Sequence, residues 1–155
     1  MKKVYTLCLV HQHPLLLLAV KKQKLGAGYW NGFGGGVEEG ESIEEAAKRE
    51  TFEEAGIEVP HIEKIGINEF EFEGDPAVLE VHVFRAEDFR GEPTETDEMG
   101  PMKWFPVSEI PYGEMWPDDS YWIPLFLEGK KFKGKFFLDP KGKILKHTLQ
   151  VVEEL

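Results

Sequence analysis
Residues 35–57 read GGVEEGESIEEAAKRETFEEAGI. Within this stretch, Ser42-Ile43-Glu44-Glu45 has the form of a capping box. The serine hydroxyl can accept from the backbone N–H of Glu45, and the Glu45 carboxylate can reach back to the N–H of Ser42. The pattern predicts a helix starting near Ile43. Gly56 is placed to end it, because glycine tolerates the left-handed conformation that follows many helices. At about 100° per residue, Ile43, Ala46, Ala47, Glu50 and Glu54 share one face, with Glu53 at its edge. The first half of that face is small and apolar, suited to lie against a sheet, and the second half carries carboxylates. Most glutamate clusters are solvated, but these acids continue the alanine stripe instead of opposing it. Buried carboxylates without partners are costly, and like charges this close repel. A cation is expected among them. Oxygen donors with no His or Cys suit Mg2+ or Mn2+. Arg49 is spaced to pair with Glu53 one turn on.

A chain of 155 residues is read as one domain with a proper core, and 41% hydrophobic residues with 11 Phe agree with that. The formal charge of −11 argues against binding long nucleic acids, which needs a basic surface. Nucleotides stay open, since their phosphates can arrive with a cation. Cys8 is the single cysteine, so no disulfide framework is expected and a reducing cytosol is the expected setting. Leu15 to Val20 is apolar but far too short to span a bilayer. No signal or transit peptide pattern is visible, and no membrane role is expected.

Taken in order, Val4 to Val10 and Leu15 to Lys21 read as strands joined by a turn at Pro14. His11 and His13 lack a third ligand and are not read as a metal site. Gly26 to Gly36 is a glycine-rich loop without the Gly-Lys-Ser/Thr ending of a P-loop. It serves either close approach to a ligand or as a flexible connector. Ile62 to Phe72 and Val78 to Phe84 read as a strand pair turning at Gly74-Asp75-Pro76, with Phe70 and Phe72 on one face. Gly91 to Pro101 is an acidic loop, and Trp104 to Pro111 a short strand and turn. Trp116-Pro117-Asp118-Asp119 opens a second helix, where both acids suit the positive end. Phe132 to Leu138 and Ile144 to Val151 read as closing strands.

The spacing of Gly35, Glu41, Arg49-Glu50, Glu53-Glu54, Gly56 and Ile57 resembles the Nudix box, with every charged and glycine position filled. Further segments resemble the animal MutT-homologue branch of that family, which hydrolyses oxidised purine nucleoside triphosphates. They are GAGYWNGFGG (26–35), EFEFEGDP (69–76), VHVF (81–84), DEM (97–99) and MWPDDSYW (115–122). The resemblance implies an α/β/α sandwich, with a mixed sheet between two main helices. It implies Mg2+-dependent conversion of substrates such as 8-oxo-dGTP and 2-hydroxy-dATP to the monophosphate and pyrophosphate, by a cytoplasmic monomer that keeps damaged bases out of DNA. Nuclear or mitochondrial nucleotide pools are alternative settings. By position, Gly34 (through its carbonyl), Glu50, Glu53, Glu54 and Glu98 match metal-binding positions. Arg49 would hold a metal-binding glutamate in place. Glu54 is expected to be the general base, with Glu53 and Glu98 as alternatives. Thr6, Lys21, Asn31, Phe33, Gly34, Gly35, Gly36, Phe70, Phe72, Trp116, Pro117, Asp118 and Asp119 match the nucleotide pocket. Asn31 would hydrogen-bond the purine, Trp116 would stack on it, and the two aspartates would read its edge. Two adjacent carboxyls in an apolar pocket are expected to share a proton, one donating and one accepting.

Three positions depart from the pattern. Leu25 stands where an aromatic is expected at the pocket edge, Gly36 where a lysine is expected, and Thr51 where the box has an aliphatic residue. None is a metal ligand; Leu25 and Gly36 bear on substrate preference, and Thr51 is a packing change expected to be tolerated. The phosphate-handling residues alone do not separate the implied activity from a Nudix hydrolase of a dinucleoside polyphosphate or ADP-ribose. A second alternative is a catalytically silent nucleotide-binding protein, against which the complete box argues.

Overall fold
The computed structural model describes residues 1–155. Its elements are β1 (Lys2–Gln12), β2 (Leu15–Lys21), β3 (Trp30–Asn31), α1 (Ile43–Ala55), β4 (Ile62–Phe72), β5 (Val78–Ala86), β6 (Met99–Pro106), α2 (Asp119–Leu127), β7 (Lys131–Leu138) and β8 (Ile144–Val152). Two 3-10 turns, Val107–Glu109 and Tyr112–Glu114, link β6 to α2.

The eight strands form one mixed sheet, running β3-β2-β1-β5-β4-β7-β8, with β6 on the free edge of β2. β1 pairs parallel with β5, and β4 parallel with β7. The remaining pairs are antiparallel. β1 and β2 are apolar almost without alternation because both of their faces are covered. Leu9, Leu16 and Leu18 enter a core with Trp122, Ile123 and Phe126 of α2. Their neighbours Cys8, Val10, Leu17 and Ala19 enter a second core with Ala55 of α1. The sheet is therefore sandwiched between the two helices, the expected α/β/α layering.

Several boundaries differ from expectation. β1 runs through His11, which is buried, and the turn is confined to His13 and Pro14. β6 begins at Met99, within what reads as acidic loop, because its register with β2 extends to Lys21. The two-residue β3 carries no sequence signal of its own.

The glycine-rich loop is not a flexible connector. Residues 33–37 lie along β1, with Thr6 N–H donating to Gly35 O at 2.9 Å and Phe33 N–H to Cys8 O at 3.0 Å. A Cβ at Gly34 would sit 1.8 Å from the Thr6 carbonyl oxygen, so only glycine permits that approach.

Candidate active site
α1 begins with the capping box read from sequence: Ser42 Oγ accepts from Glu45 N–H at 3.1 Å, and Glu45 Oε1 accepts from Ser42 N–H at 2.9 Å. It ends at Gly56, with φ 73°. Ala46, Ala47 and Ala55 are fully buried on its inner face. That register turns Glu50 and Glu54 toward the glycine loop, where the acidic loop before β6 delivers Glu98. Each of the three carboxylates offers an oxygen, and these oxygens lie within 4.8 Å of one another. Gly34 N–H donates to Glu54 Oε1 at 2.9 Å. Glu54 is buried, and this pushes its carboxyl up to about 8, helped by a hydrogen bond with Glu98 and the charges of Glu50 and Glu98. Burial also raises Glu50. Three carboxylates so close, two of them penalised for being charged, fit a hard divalent cation bound through oxygen.

Arg49 uses its whole fork. Nε and Nη2 donate to the two Glu41 oxygens at 2.7 and 3.0 Å, and Nη1 to Glu50 at 3.0 Å and Glu53 at 3.2 Å. Nη2 also reaches Gly36 O at 3.1 Å. The guanidinium therefore ties the glycine loop to the helix and fixes Glu50, a task lysine's single ammonium has no geometry for. Beside Arg49, the Glu41 carboxyl is held below its ordinary value. Glu53 stands apart: its side chain is 49% exposed, and it is not one of the three clustered carboxylates.

A cavity of about 450 Å³ opens from these acids across the α2 face of the sheet. It is lined by Thr6, Lys21, Asn31, Gly34, Gly35, Gly36, Phe70, Phe72, Trp116, Asp118 and Asp119, as well as by Glu50, Glu54 and Glu98. Asn31 Oδ1 accepts from Gly32 N–H at 2.9 Å, which leaves the amide NH2 free to donate. Trp116 is fitted between two glycines from distant parts of the chain. A Cβ at Gly26 would lie 2.7 Å from the indole nitrogen, and one at Gly142 would lie 3.2 Å from the ring. Tyr29 meets the same ring edge-on, with centroids 5.6 Å apart.

Asp118 and Asp119 do not serve as solvated helix-end acids; both are buried in the cavity wall. Asp118 makes no cap hydrogen bond, and its Oδ2 instead accepts from Trp122 Nε1 at 2.8 Å. Burial raises both carboxyls, Asp119 well above the ordinary range, with the Asp118 charge adding to it. The Trp122 N–H bond to Asp118 offsets part of that rise, and Asp119 is the more strongly raised of the two.

Two residues placed in the pocket by resemblance do not line it. Phe33 is fully buried in the α1-side core, because its glycine neighbours face the cavity and the alternating backbone turns Phe33 away. Pro117 is half-buried between two lining residues. Sequence reading missed Asn68, Met99 and Leu138, which do line it. The period of two that pairs Phe70 with Phe72 also includes Asn68; nothing local marks the other two.

A family model described as a NUDIX domain matches residues 1–126. The chain belongs to the Nudix family. Nudix hydrolases generally use divalent cations, in keeping with the three-glutamate cluster. Two curated relatives are each called oxidized purine nucleoside triphosphate hydrolase. The Mus musculus protein is 49% identical over 151 residues, 97% of this chain and 96% of its own length. The Danio rerio protein is 48% identical over 153 residues, 99% of this chain and 97% of its own. The crystal structure of a MutT protein from Bacillus halodurans is similar, with TM-score 0.85 and 30% identity, covering 96% of this chain and 97% of that one.

Proposed function
We propose that this Nudix protein is a Mg2+-dependent hydrolase of oxidised purine nucleoside triphosphates, releasing the monophosphate and pyrophosphate. The observation that carries this is the continuity of one cavity. Its acidic end fits a cation and phosphates, and its other end is walled by Phe70, Phe72, Trp116, Asn31 and the aspartate pair. The two curated relatives, similar over nearly the whole chain, carry the name of that activity.

In this reading Glu50, Glu54 and Glu98 hold the cation, which when bound neutralises phosphate charge. Gly34 N–H and Arg49 keep Glu54 and Glu50 in place. Water attacks the β-phosphorus, the α–β bridging P–O bond breaks and the monophosphate leaves. Glu54, the most buried of the three clustered glutamates, takes the proton of the attacking water. At the other end the base stacks on Trp116, the Asn31 amide donates to it, and the aspartates read its edge. Protonated Asp119 donates there while Asp118 accepts, and exchanging the proton would reverse those roles. Such a pair meets either an oxidised guanine or an oxidised adenine.

Pyrophosphate release from 8-oxo-dGTP and dGTP, measured side by side with Mg2+ and with EDTA, tests this. Preference for the oxidised base, abolished by EDTA, is the expected result. Metal-dependent turnover of ADP-ribose or a dinucleoside polyphosphate in place of either triphosphate would overturn the substrate assignment.

A further inference from the structure
Side chains alternate along β4, so Asn68 shares the face of Phe70 and Phe72, and all three line the cavity. Asn68 is only 1% exposed, and its Oδ1 has no hydrogen-bond partner. A buried amide oxygen without a donor destabilises the fold, and an aliphatic residue would satisfy the strand's pattern without that penalty.

The surroundings make room for the amide. Gly134 lies opposite on β7, and a Cβ there would come within 2.5 Å of Asn68 Oδ1. Asn68 also has a counterpart. Asp119 Oδ2 is buried, unpartnered and part of the same cavity wall. The other buried side-chain atoms without partners belong to His11, His82 and Arg85, none of which lines it. Asp118 and Asn31 are anchored by Trp122 and Gly32, whereas Asn68 and Asp119 are left with unmatched polar atoms.

We infer that Asn68 is a further base-binding residue, whose carboxamide hydrogen-bonds the edge of the bound base. This rests on the reading that the cavity takes a purine nucleotide. A carboxamide presents a donor and an acceptor side by side, matching the adjacent N–H and C=O, or N and NH2, of a purine edge. Rotation by 180° about its last bond exchanges the two without changing its shape. A base lacking a complementary edge leaves the amide unpaired, and this is how a buried polar group discriminates between ligands.

Asn68→Leu, close in size, and Asn68→Ala test the assignment. KM is measured on whichever nucleoside triphosphate the wild type turns over best, and binding of the corresponding purine monophosphate by calorimetry. The wild-type substrate preference reports on the proposed function. The ratio of variant to wild type reports on Asn68, and calorimetry supplies it even without turnover. The expected result is a roughly tenfold or greater rise in KM and in monophosphate Kd. kcat should stay within about twofold, since the acids are untouched, and Tm of the free Asn68→Leu protein should be equal or higher because an unmatched polar atom is gone. Should Asn68→Leu fail to fold, Asn68→Ala supplies the same ratios. Unchanged KM and Kd would overturn the inference. A lowered Tm with kcat and KM affected together would also overturn it, and make Asn68 a support of the fold.

Discussion

At Glu54, stability and chemistry pull in opposite directions. Burial and the neighbouring carboxylates raise it to about 8, so at neutral pH the free folded protein holds a proton there that the unfolded chain releases, and this weakens the fold. Glu54→Gln keeps the shape and an oxygen for Gly34 N–H. Turnover should fall by about 100-fold or more, while urea unfolding at pH 7.5 should show stability equal to wild type or higher by about 1 kcal/mol. Asp119 behaves similarly, with a pH signature. Its folded form keeps a proton that the unfolded chain releases near pH 4. Above that pH the folded protein binds more protons than the unfolded chain, so stability falls as pH rises toward the raised value. Asp119→Asn removes this loss. Unfolding free energies of variant and wild type should converge near pH 4, and the variant should be more stable at pH 7.5 by about 1 kcal/mol or more. Much of the residue chemistry was legible. Thr51, a departure from the box, is buried inside α1 with its hydroxyl donating to Ala47 O at 2.8 Å, so a polar group fits an aliphatic position. Asn68 was not legible, because its isolation depends on which strand lies opposite.

Among the elements, α1 was the most readable, since its start, stop and buried face are all local properties. Ser42→Ala should cost about 1 kcal/mol in chemical denaturation, because Glu45 N–H loses its acceptor. Turnover at 25 °C should be unchanged, since the cap lies nearly two turns before Arg49. Arg49→Lys should show the reverse pattern. It lies half-exposed on the helix, yet losing the fork releases Glu41, Glu50 and the Gly36 carbonyl together. Turnover should drop roughly tenfold or more, read as kcat at saturating substrate, with Tm little changed. The strands were legible as strands but not as partners. A period of two marks which residues share a face. It does not say that β1 lies beside β5, or that β2 carries β6 on one edge and both β1 and β3 on the other.

On the scale of the whole molecule, the sandwich followed from the order of elements and the Nudix resemblance, while the extent of the pocket did not. The family match ends at residue 126, yet Leu138 lines the cavity and Gly142 presses on Trp116. Phe132, Phe136 and Leu138 all enter the α2-side core. Losing contacts of that kind costs about 2–5 kcal/mol each, and a domain's entire stability is about 5–15 kcal/mol. A chain ending at Gly129 should therefore show no cooperative thermal transition and little near-UV circular dichroism. A sharp melt from that truncation would mean that the first 129 residues suffice to build the fold.

The pairing of β4 with β7 also sets an order of events during protein synthesis. β1, which leaves the ribosome before every other strand of the sheet, has no parallel partner until β5 has emerged, and β2 stays open on one edge until β6 follows. The floor of the cavity waits longer still, because the Asn68 face is bounded by a strand that ends at Leu138. A nascent chain therefore carries the apolar strands β1 and β2 uncovered while the residues up to β6 are still being made, at about 5–20 residues per second. The acids of α1 are made early, but the pocket they serve closes only after Leu138 is in place.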